Sequence, residues 1–110
     1  MDATELIVHL LAQGHAVQFR ARGDSMHPVI RENDLLHVEP VDRATIAPGD
    51  VVLALADRGL TAHRVVKRKG ATIIMRGDNA PANDDPIDES QVLGRVAYVL
   101  RNGRQHGVGR

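Results

Sequence analysis

The chain has 110 residues, of which 43% are hydrophobic and only Phe19 and Tyr98 are aromatic, so it can form one small domain with an aliphatic core. Its 14 basic and 14 acidic residues give a formal net charge of zero, which argues against a nucleic-acid partner, because phosphates are usually neutralised by a basic face. The absence of cysteine excludes disulfide scaffolds, thiol nucleophiles and thiolate zinc sites. We expect no metal and no other cofactor.

The apolar segments of the sequence also indicate where in the cell the protein is expected. No run approaches the roughly 20 apolar residues that a membrane-spanning helix needs. The first residues include acids, and His9 interrupts the apolar run that follows them, which is unlike a secretory signal peptide. We therefore expect a soluble, cytoplasmic protein without a transmembrane anchor.

The first predicted element is an amphipathic helix over residues 3–13. Asp2 and Glu5 have the spacing of a capping box, and Gly14 is typical of the residue that follows a helix. Apolar residues at helical spacing form one stripe: Leu6, Ile7, Leu10 and Leu11. We expect this stripe to pack on the core of the same chain, with peripheral contact to a membrane or a partner as the alternative.

From residue 15 to residue 100 the apolar pattern changes to a period of two, which predicts a β domain. The predicted strands are residues 17–22, 34–40, 50–56, 60–68, 71–76 and 91–100. Lys69-Gly70 is a predicted hairpin turn, and Gly94 is a predicted bulge.

The predicted fold class is therefore mostly β: one domain over residues 1–100, with a small, coiled, antiparallel or barrel-like sheet after the helix. Asp34 and Asp50 are expected to cap tight turns. Residues 101–110 are rich in Gly and Arg and are predicted to form a flexible basic tail.

Three segments contain residues that could perform chemistry. Ser25 lies in "GDSMHP", His63 lies in the middle of a predicted strand, and the polar loop 77–90 contains four aspartates. A serine hydroxyl becomes a good nucleophile only when a base accepts its proton, and a carboxylate can orient that base. These residue types are common, so a Ser-His-Asp site does not follow from them alone. The other histidines show no spacing typical of metal ligands.

The order of the local motifs is more specific. The chain reads in succession "GDSMHPVI", "RENDLLHVEP", "APGDVVLAL", "AHRVVKRKG", "MRGDNAPANDD" and "QVLGRV". This succession resembles the LexA/signal peptidase I superfamily of serine peptidases over most of the chain. The resemblance implies that Ser25 is the nucleophile and His63 the general base. Many members carry a lysine at the base position, so His63 resembles the serine–histidine branch of SipW-type, archaeal and endoplasmic-reticulum signal peptidases. If His63 is not the base, Lys67 is the next candidate.

The resemblance also implies roles for the aspartates. Asp78 matches the aspartate of the Gly-Asp-Asn motif, and either Asp84 or Asp85 matches a second aspartate that would orient His63. The loop is one residue longer than the usual form, and Asp85 is favoured over Asp84.

The remaining site residues surround the nucleophile. Gly23, Asp24 and Met26 are predicted to form the oxyanion hole and the adjoining pocket, with backbone N–H groups at and near Ser25 as the donors. Some members add a serine hydroxyl two residues before the nucleophile, where this chain has Gly23. Met26 could be a core plug or a wall of the substrate pocket.

Two functions are consistent with these features. The first is a soluble serine endopeptidase that hydrolyses a peptide bond in a peptide or protein partner, with a preference for small residues that the resemblance alone implies. The second is a non-catalytic module that keeps the fold and holds a peptide as an added strand. Without a visible membrane anchor or room for a helix-turn-helix, we expect a peptidase domain that stands alone. The sequence does not specify the oligomeric state.

Overall fold

Residues 1–109 are described by a computed structural model, in which one helix is followed by eight strands of a single antiparallel sheet. The helix is α1 (Ala3–Ala12). The strands are β1 (Val17–Arg20), β2 (Leu35–Glu39), β3 (Val51–Ala56), β4 (Gly59–Lys69), β5 (Thr72–Arg76), β6 (Ile87–Asp88), β7 (Val92–Arg101) and β8 (Arg104–Gly107). Short 3₁₀ turns span Arg43–Thr45 and Glu89–Gln91. The mostly β fold predicted from the sequence is confirmed.

The N-terminal helix packs on the core through its apolar stripe. The Asp2 carboxylate accepts a hydrogen bond of 2.8 Å from the Glu5 N–H and so caps the first turn. Leu11 is buried, and Ile7 packs against the same cluster, whereas Leu6 is 47% exposed. No helix within residues 1–109 is long and apolar enough to cross a membrane. Contact of α1 with a membrane surface stays a prediction.

The sheet is coiled so that its central strand is covered on both faces. The strand order is β1-β2-β7-β3-β4-β5-β6, and β8 also pairs with β7. Val51 and Leu53 of β3 belong to one buried cluster, and Val52 and Ala54 belong to a second. A strand with two buried faces has a continuous apolar run instead of an alternating one, as the "VVLALA" of β3 does.

The predicted bulge at Gly94 is confirmed. Leu53 pairs with Gly94 but Ala54 pairs with Val92, so β7 contains one extra residue at this point. A Cβ atom on Gly94 would lie 2.6 Å from the carbonyl oxygen of Glu39 on the neighbouring strand β2. The glycine therefore allows the two backbones to approach closely where the sheet bends.

Residues 104–107 of the predicted tail form β8 instead. Tyr98 pairs with Gly107 and Arg101 pairs with Arg104 across a two-residue loop. Asn102 and Gly103 form that loop with positive φ angles of 53° and 73°, which suits the Asn-Gly turn of a β-hairpin. The prediction of a tail rested on the Gly- and Arg-rich composition of residues 101–110 and did not take account of the Asn-Gly turn. Arg110, the last residue of the predicted tail, lies outside the described residues.

The loop from Gly77 to Ser90 is also more ordered than its polar sequence predicts. Ile87 pairs with Ile73 of β5 and is buried. Asp88 then caps the 3₁₀ turn with a capping box that Gln91 completes. These contacts fix the end of the loop that leads into β7.

Asp34 and Asp50 cap tight turns, as predicted. The Asp34 carboxylate accepts a hydrogen bond of 2.8 Å from the Arg31 N–H, and Asp50 accepts one of 2.9 Å from the Ala47 N–H. Asp34 is 2% exposed and is also held by Arg101 at 2.8 and 2.6 Å. Burial opposes ionisation of Asp34, but the hydrogen bonds from Arg101 and Arg31 outweigh it and hold its pKa below the ordinary value.

Replacing Arg101 with methionine should lower the free energy of unfolding at pH 7 and decrease Tm by several degrees, because it leaves the buried Asp34 carboxylate without its charged partner. A carboxyl group whose pKa is lower in the folded state stabilises the fold above its unfolded-state pKa of about 3.9, and the stabilisation is lost as the pH falls through the folded-state pKa. The difference between wild type and Arg101→Met should therefore shrink below about pH 4.

Urea unfolding at several pH values measures this difference. Arg104→Met is the matched control, because Arg104 is exposed on the same hairpin. Equal stability of Arg101→Met and Arg104→Met at pH 7 would contradict the assignment.

Candidate active site

Ser25 lies on a turn that is anchored in the core by the residues after it. The His27 N–H donates to the Asp24 carbonyl at 3.0 Å, and the Ile30 N–H donates to the Met26 carbonyl at 3.0 Å. Met26 and Ile30 are both 4% exposed, whereas Ser25 is exposed. The buried side chains hold the turn in place, so the Ser25 hydroxyl is presented to the surface at a fixed position.

His63 lies between Ser25 and an aspartate. Its Nε2 atom is 3.0 Å from the Ser25 Oγ, and its Nδ1 atom is 2.5 Å from the Asp84 Oδ2. The ring is carried by β4, where His63 pairs with Val52 of β3. The His63 side chain is 13% exposed and the Asp84 side chain is 34% exposed. Both ring nitrogens therefore have a partner, in the arrangement of a nucleophile, a base and an orienting carboxylate.

The aspartate that contacts His63 is Asp84 and not Asp85, which the sequence analysis favoured. The Asp84 N–H donates to the Met75 carbonyl near the end of β5 at 2.8 Å, and this bond fixes the register of the loop beside His63. Asp85 is adjacent in the same groove, but within residues 1–109 it makes no hydrogen bond or ion pair. The longer loop is thus accommodated without moving Asp84 away from the histidine.

Asp78 contacts an arginine and not the histidine. Its two carboxylate oxygens accept hydrogen bonds of 2.8 and 2.9 Å from the guanidinium of Arg64, the residue that follows His63 on β4. The hydrogen bond to Asp78 raises the pKa of Arg64, against the opposing effect of burial. Asp78 therefore connects its loop to β4, the strand that also carries His63.

The loop Gly77–Asn79 contacts the turn that carries Ser25. The Asn79 N–H donates to the Ser25 carbonyl at 2.9 Å, and its side-chain amide donates to the Asp24 carbonyl at 3.1 Å. The Asp78 N–H points at the Met26 sulfur at 3.3 Å. Gly77 and Asn79 were not among the predicted site residues, although the "GDN" motif that contains them was the available signal.

Gly77→Ala should lower the rate of any reaction at Ser25 by on the order of 10²-fold, since displacement of a catalytic group by about 1 Å can have that effect. A Cβ atom at this position would lie 2.5 Å from the Ser25 carbonyl oxygen and 3.2 Å from the His63 Nε2, so both groups must move. Gly107→Ala is the matched control, because a Cβ atom there meets nothing within 4 Å. Unchanged reactivity of Ser25 in Gly77→Ala, measured by its rate of acylation, would contradict this contact.

The predicted oxyanion residues surround Ser25 on the groove side. Gly23, with a φ of 81°, and Met26 line the groove, and Asp24 joins them through the turn. In residues 1–109, neither the Ser25 N–H nor the Met26 N–H donates a hydrogen bond. Met26 is both a core residue and part of the groove wall, which combines the two predicted roles.

An open groove of about 1110 Å³ runs past Ser25 and His63. One wall includes Ala3, Thr4 and Ile7 of α1, which the sequence analysis did not place at the site. Lys67, the alternative base, does not line this groove. A bulge between Val65 and Lys67 interrupts the alternation of β4, so Lys67 does not share the face of His63 as simple alternation predicts. Within residues 1–109 no cluster of histidine, aspartate and glutamate is placed to hold a metal ion.

Comparison with known proteins identifies a family for the chain. Residues 2–97 match the model of the Peptidase S24-like family. The chain is also 33% identical over 101 residues to a LexA repressor of Acidothermus cellulolyticus. That alignment covers 91% of this chain and 36% of the relative, so the chain spans about a third of the length of the curated relative it matches. With an antiparallel sheet that brings the nucleophile and base motifs together, and a family model that covers most of its length, the chain belongs to the Peptidase S24-like family of the LexA/signal peptidase-like superfamily.

Proposed function

We propose that this protein is a serine peptidase that hydrolyses a peptide bond in a peptide or protein substrate, with Ser25 as nucleophile, His63 as general base and Asp84 as the orienting carboxylate. The observation that carries the proposal is the continuous contact from Ser25 Oγ to His63 Nε2 at 3.0 Å and from His63 Nδ1 to Asp84 at 2.5 Å. A serine, a histidine and a carboxylate in this geometry form an activated nucleophile.

The first half of the reaction forms an acyl-enzyme. The Ser25 oxygen attacks the carbonyl carbon of the scissile bond while its proton passes to His63 Nε2, and Asp84 stabilises the resulting imidazolium. The N–H groups of Ser25 and Met26, which donate no hydrogen bond within residues 1–109, are the proposed donors to the oxyanion. The imidazolium then returns the proton to the leaving amine as the carbon–nitrogen bond breaks.

The second half releases the acyl group. A water molecule gives one proton to His63, attacks the acyl-enzyme carbonyl and displaces Ser25, which recovers its proton from the imidazolium. The open groove of about 1110 Å³ gives both the peptide and the water access to Ser25. Each proton transfer uses the same ring nitrogen, so one histidine serves as base and acid in turn.

A histidine base suits this position better than the lysine that many superfamily members carry. A lysine side chain has an ordinary pKa of about 10.4 and must be deeply buried to act as a base near neutral pH, whereas that of histidine is about 6.5. The ring of His63 is not fully buried and lies against an aspartate, which would favour the charged form of a lysine. A histidine therefore fits the surroundings of this position better than a lysine does.

The alternative is a module that binds a peptide as an added strand and does no chemistry. A groove blocked by the protein's own chain, or a serine apart from its histidine, would favour this alternative. The groove is open past Ser25, and the serine contacts the histidine, so the observations favour the enzyme.

A peptide library digested by the protein and analysed by mass spectrometry tests the proposed function. Wild type should produce new peptide ends, and Ser25→Ala should produce none. Ser90→Ala is the matched control, because Ser90 is the other serine of the chain and lies outside the groove. Peptides that bind to both wild type and Ser25→Ala without cleavage would support the binding module instead.

A further inference from the structure

The segment that follows β8, residues 108–109, lies beside the residues that come after Ser25 on its turn. Val108 is 6% exposed and belongs to the same buried cluster as Met26 and Ile30. A shallow cavity of about 470 Å³ is lined by residues that include Val29, which follows the nucleophile turn, Arg64 and residues 107–109. The segment therefore lies close to the turn that carries Ser25.

Arg64 connects this segment to the active-site loop. Its Nη2 donates to the Val108 carbonyl at 2.7 Å, its Nη1 donates to the Gly49 carbonyl at 2.8 Å, and its Nε and Nη2 hold the Asp78 carboxylate. A guanidinium has five N–H donors in one rigid plane, and four of those of Arg64 are engaged. Fixing the plane at Val108 and Gly49 therefore fixes where the Asp78 carboxylate must lie.

The loop carries this constraint to the nucleophile. Asp78 is followed by Asn79, whose N–H donates to the Ser25 carbonyl at 2.9 Å. Gly77, on the other side of Asp78, lies against both Ser25 and His63. A displacement of Asp78 would thus be transmitted to Ser25 and to the groove edge beside His63.

We propose that Val108 and the segment after β8 hold the Gly77–Asn79 loop, and through it Ser25, in the reactive position by anchoring Arg64. In this account Arg64 is a positioning residue and Val108 supplies its fixed point. Its effect on reaction rate rests on the proposed peptidase function, whereas its effect on the position of the loop does not.

Deletion of residues 108–110 tests the proposal, because it removes the Val108 carbonyl. Deletion of residues 109–110 is the matched control, because it keeps an oxygen of Val108 opposite Arg64. Val108→Ala is a second control, because it removes methyl groups from the core and keeps the carbonyl. Comparison of the three variants separates the anchor from packing of the side chain.

Amide hydrogen exchange gives a readout that needs no activity. The Asn79 amide should exchange about tenfold faster or more in the 108–110 deletion, the scale expected for loss of one hydrogen bond to a charged group. The increase at Asn79 should exceed that of the β7 amides, which report global unfolding. In the 109–110 deletion, the Asn79 amide should exchange at the wild-type rate. Equal exchange at Asn79 in the two deletions would overturn the proposal.

Phosphonylation of Ser25 by a fluorophosphonate gives the second readout. Its maximal rate should fall about tenfold in the 108–110 deletion, while the concentration for half-maximal rate stays unchanged, since the groove itself is retained. If wild type is labelled and the 108–110 deletion is labelled equally fast, the proposal is wrong. If wild type is not labelled but exchange at Asn79 still responds to the deletion, the positioning role stands and the proposed peptidase function fails.

Discussion

His63→Ala is expected to remove nearly all Ser25-dependent hydrolysis, with a decrease in kcat on the order of 10⁶-fold if this site acts as other serine peptidase triads do. The serine hydroxyl is almost wholly protonated at neutral pH, so without a base it is a poor nucleophile. Within residues 1–109, the imidazole 3.0 Å away is the only basic nitrogen in hydrogen-bond contact with the Ser25 Oγ. The measurement is kcat on a peptide that the library digest identifies.

His15→Ala is the control for this variant, because His15 is exposed between α1 and β1 and does not line the groove. It should keep wild-type kcat. Activity that survives His63→Ala would mean that the base is misassigned. Lys67, the next candidate from the sequence, would then have to reach a groove that it does not line.

Asp84→Asn is expected to lower kcat by about 10⁴-fold, the effect known for the same change in a serine peptidase triad. An amide can present its N–H to the ring and so favour the wrong tautomer of His63, and it cannot stabilise the imidazolium by charge. The Asp84 Oδ2 lies 2.5 Å from His63 Nδ1, so the loss acts on the base itself. The measurement is kcat for the same peptide, with KM expected to change little.

Asp85→Asn is the matched control, because it removes the neighbouring charge and leaves the contact with His63 in place. Its kcat should stay close to that of wild type. Similar losses in both variants would mean that the charge of the loop matters and the contact does not. A larger loss in Asp85→Asn would restore the assignment that the sequence alone favoured.

The sequence was sufficient to predict six of the eight strands in residues 1–109, because the signals for those strands are local, whereas the pairing of Ser25 with His63 was implied by the resemblance to the LexA/signal peptidase I superfamily. Alternation in "LTAHRVVKR" places His63 in a strand, and "GDSMHP" has the composition of a turn. The continuous apolar run "VVLALA" is typical of a strand with two buried faces, but which strands lie beside β3 depends on how the sheet coils. The strand itself could therefore be predicted, but its place at the centre of the sheet could not.

The choice between Asp84 and Asp85 depends on contacts between residues that are distant in sequence. The hydrogen bond from the Asp84 N–H to the Met75 carbonyl sets the register of the loop, and no local sequence pattern predicts this bond. The link from Val108 to Arg64 spans 44 positions and is likewise absent from any local pattern. For β8 there was a local signal, because Asn102-Gly103 is a typical hairpin turn. The basic, glycine-rich composition around it predicted a flexible tail instead.

Phosphonylation by a fluorophosphonate tests most directly whether Ser25 is an activated nucleophile, because it needs no knowledge of the substrate. The serine oxygen displaces fluoride from phosphorus, and the base accepts the serine proton, so the reaction reports the nucleophile and the base together. The account predicts one adduct per chain, located on Ser25 by peptide mapping, with Ser90 unmodified. The reaction should be lost in His63→Ala and absent after denaturation. A folded protein in which Ser25 stays unmodified, or is labelled no faster than Ser90, would contradict the account.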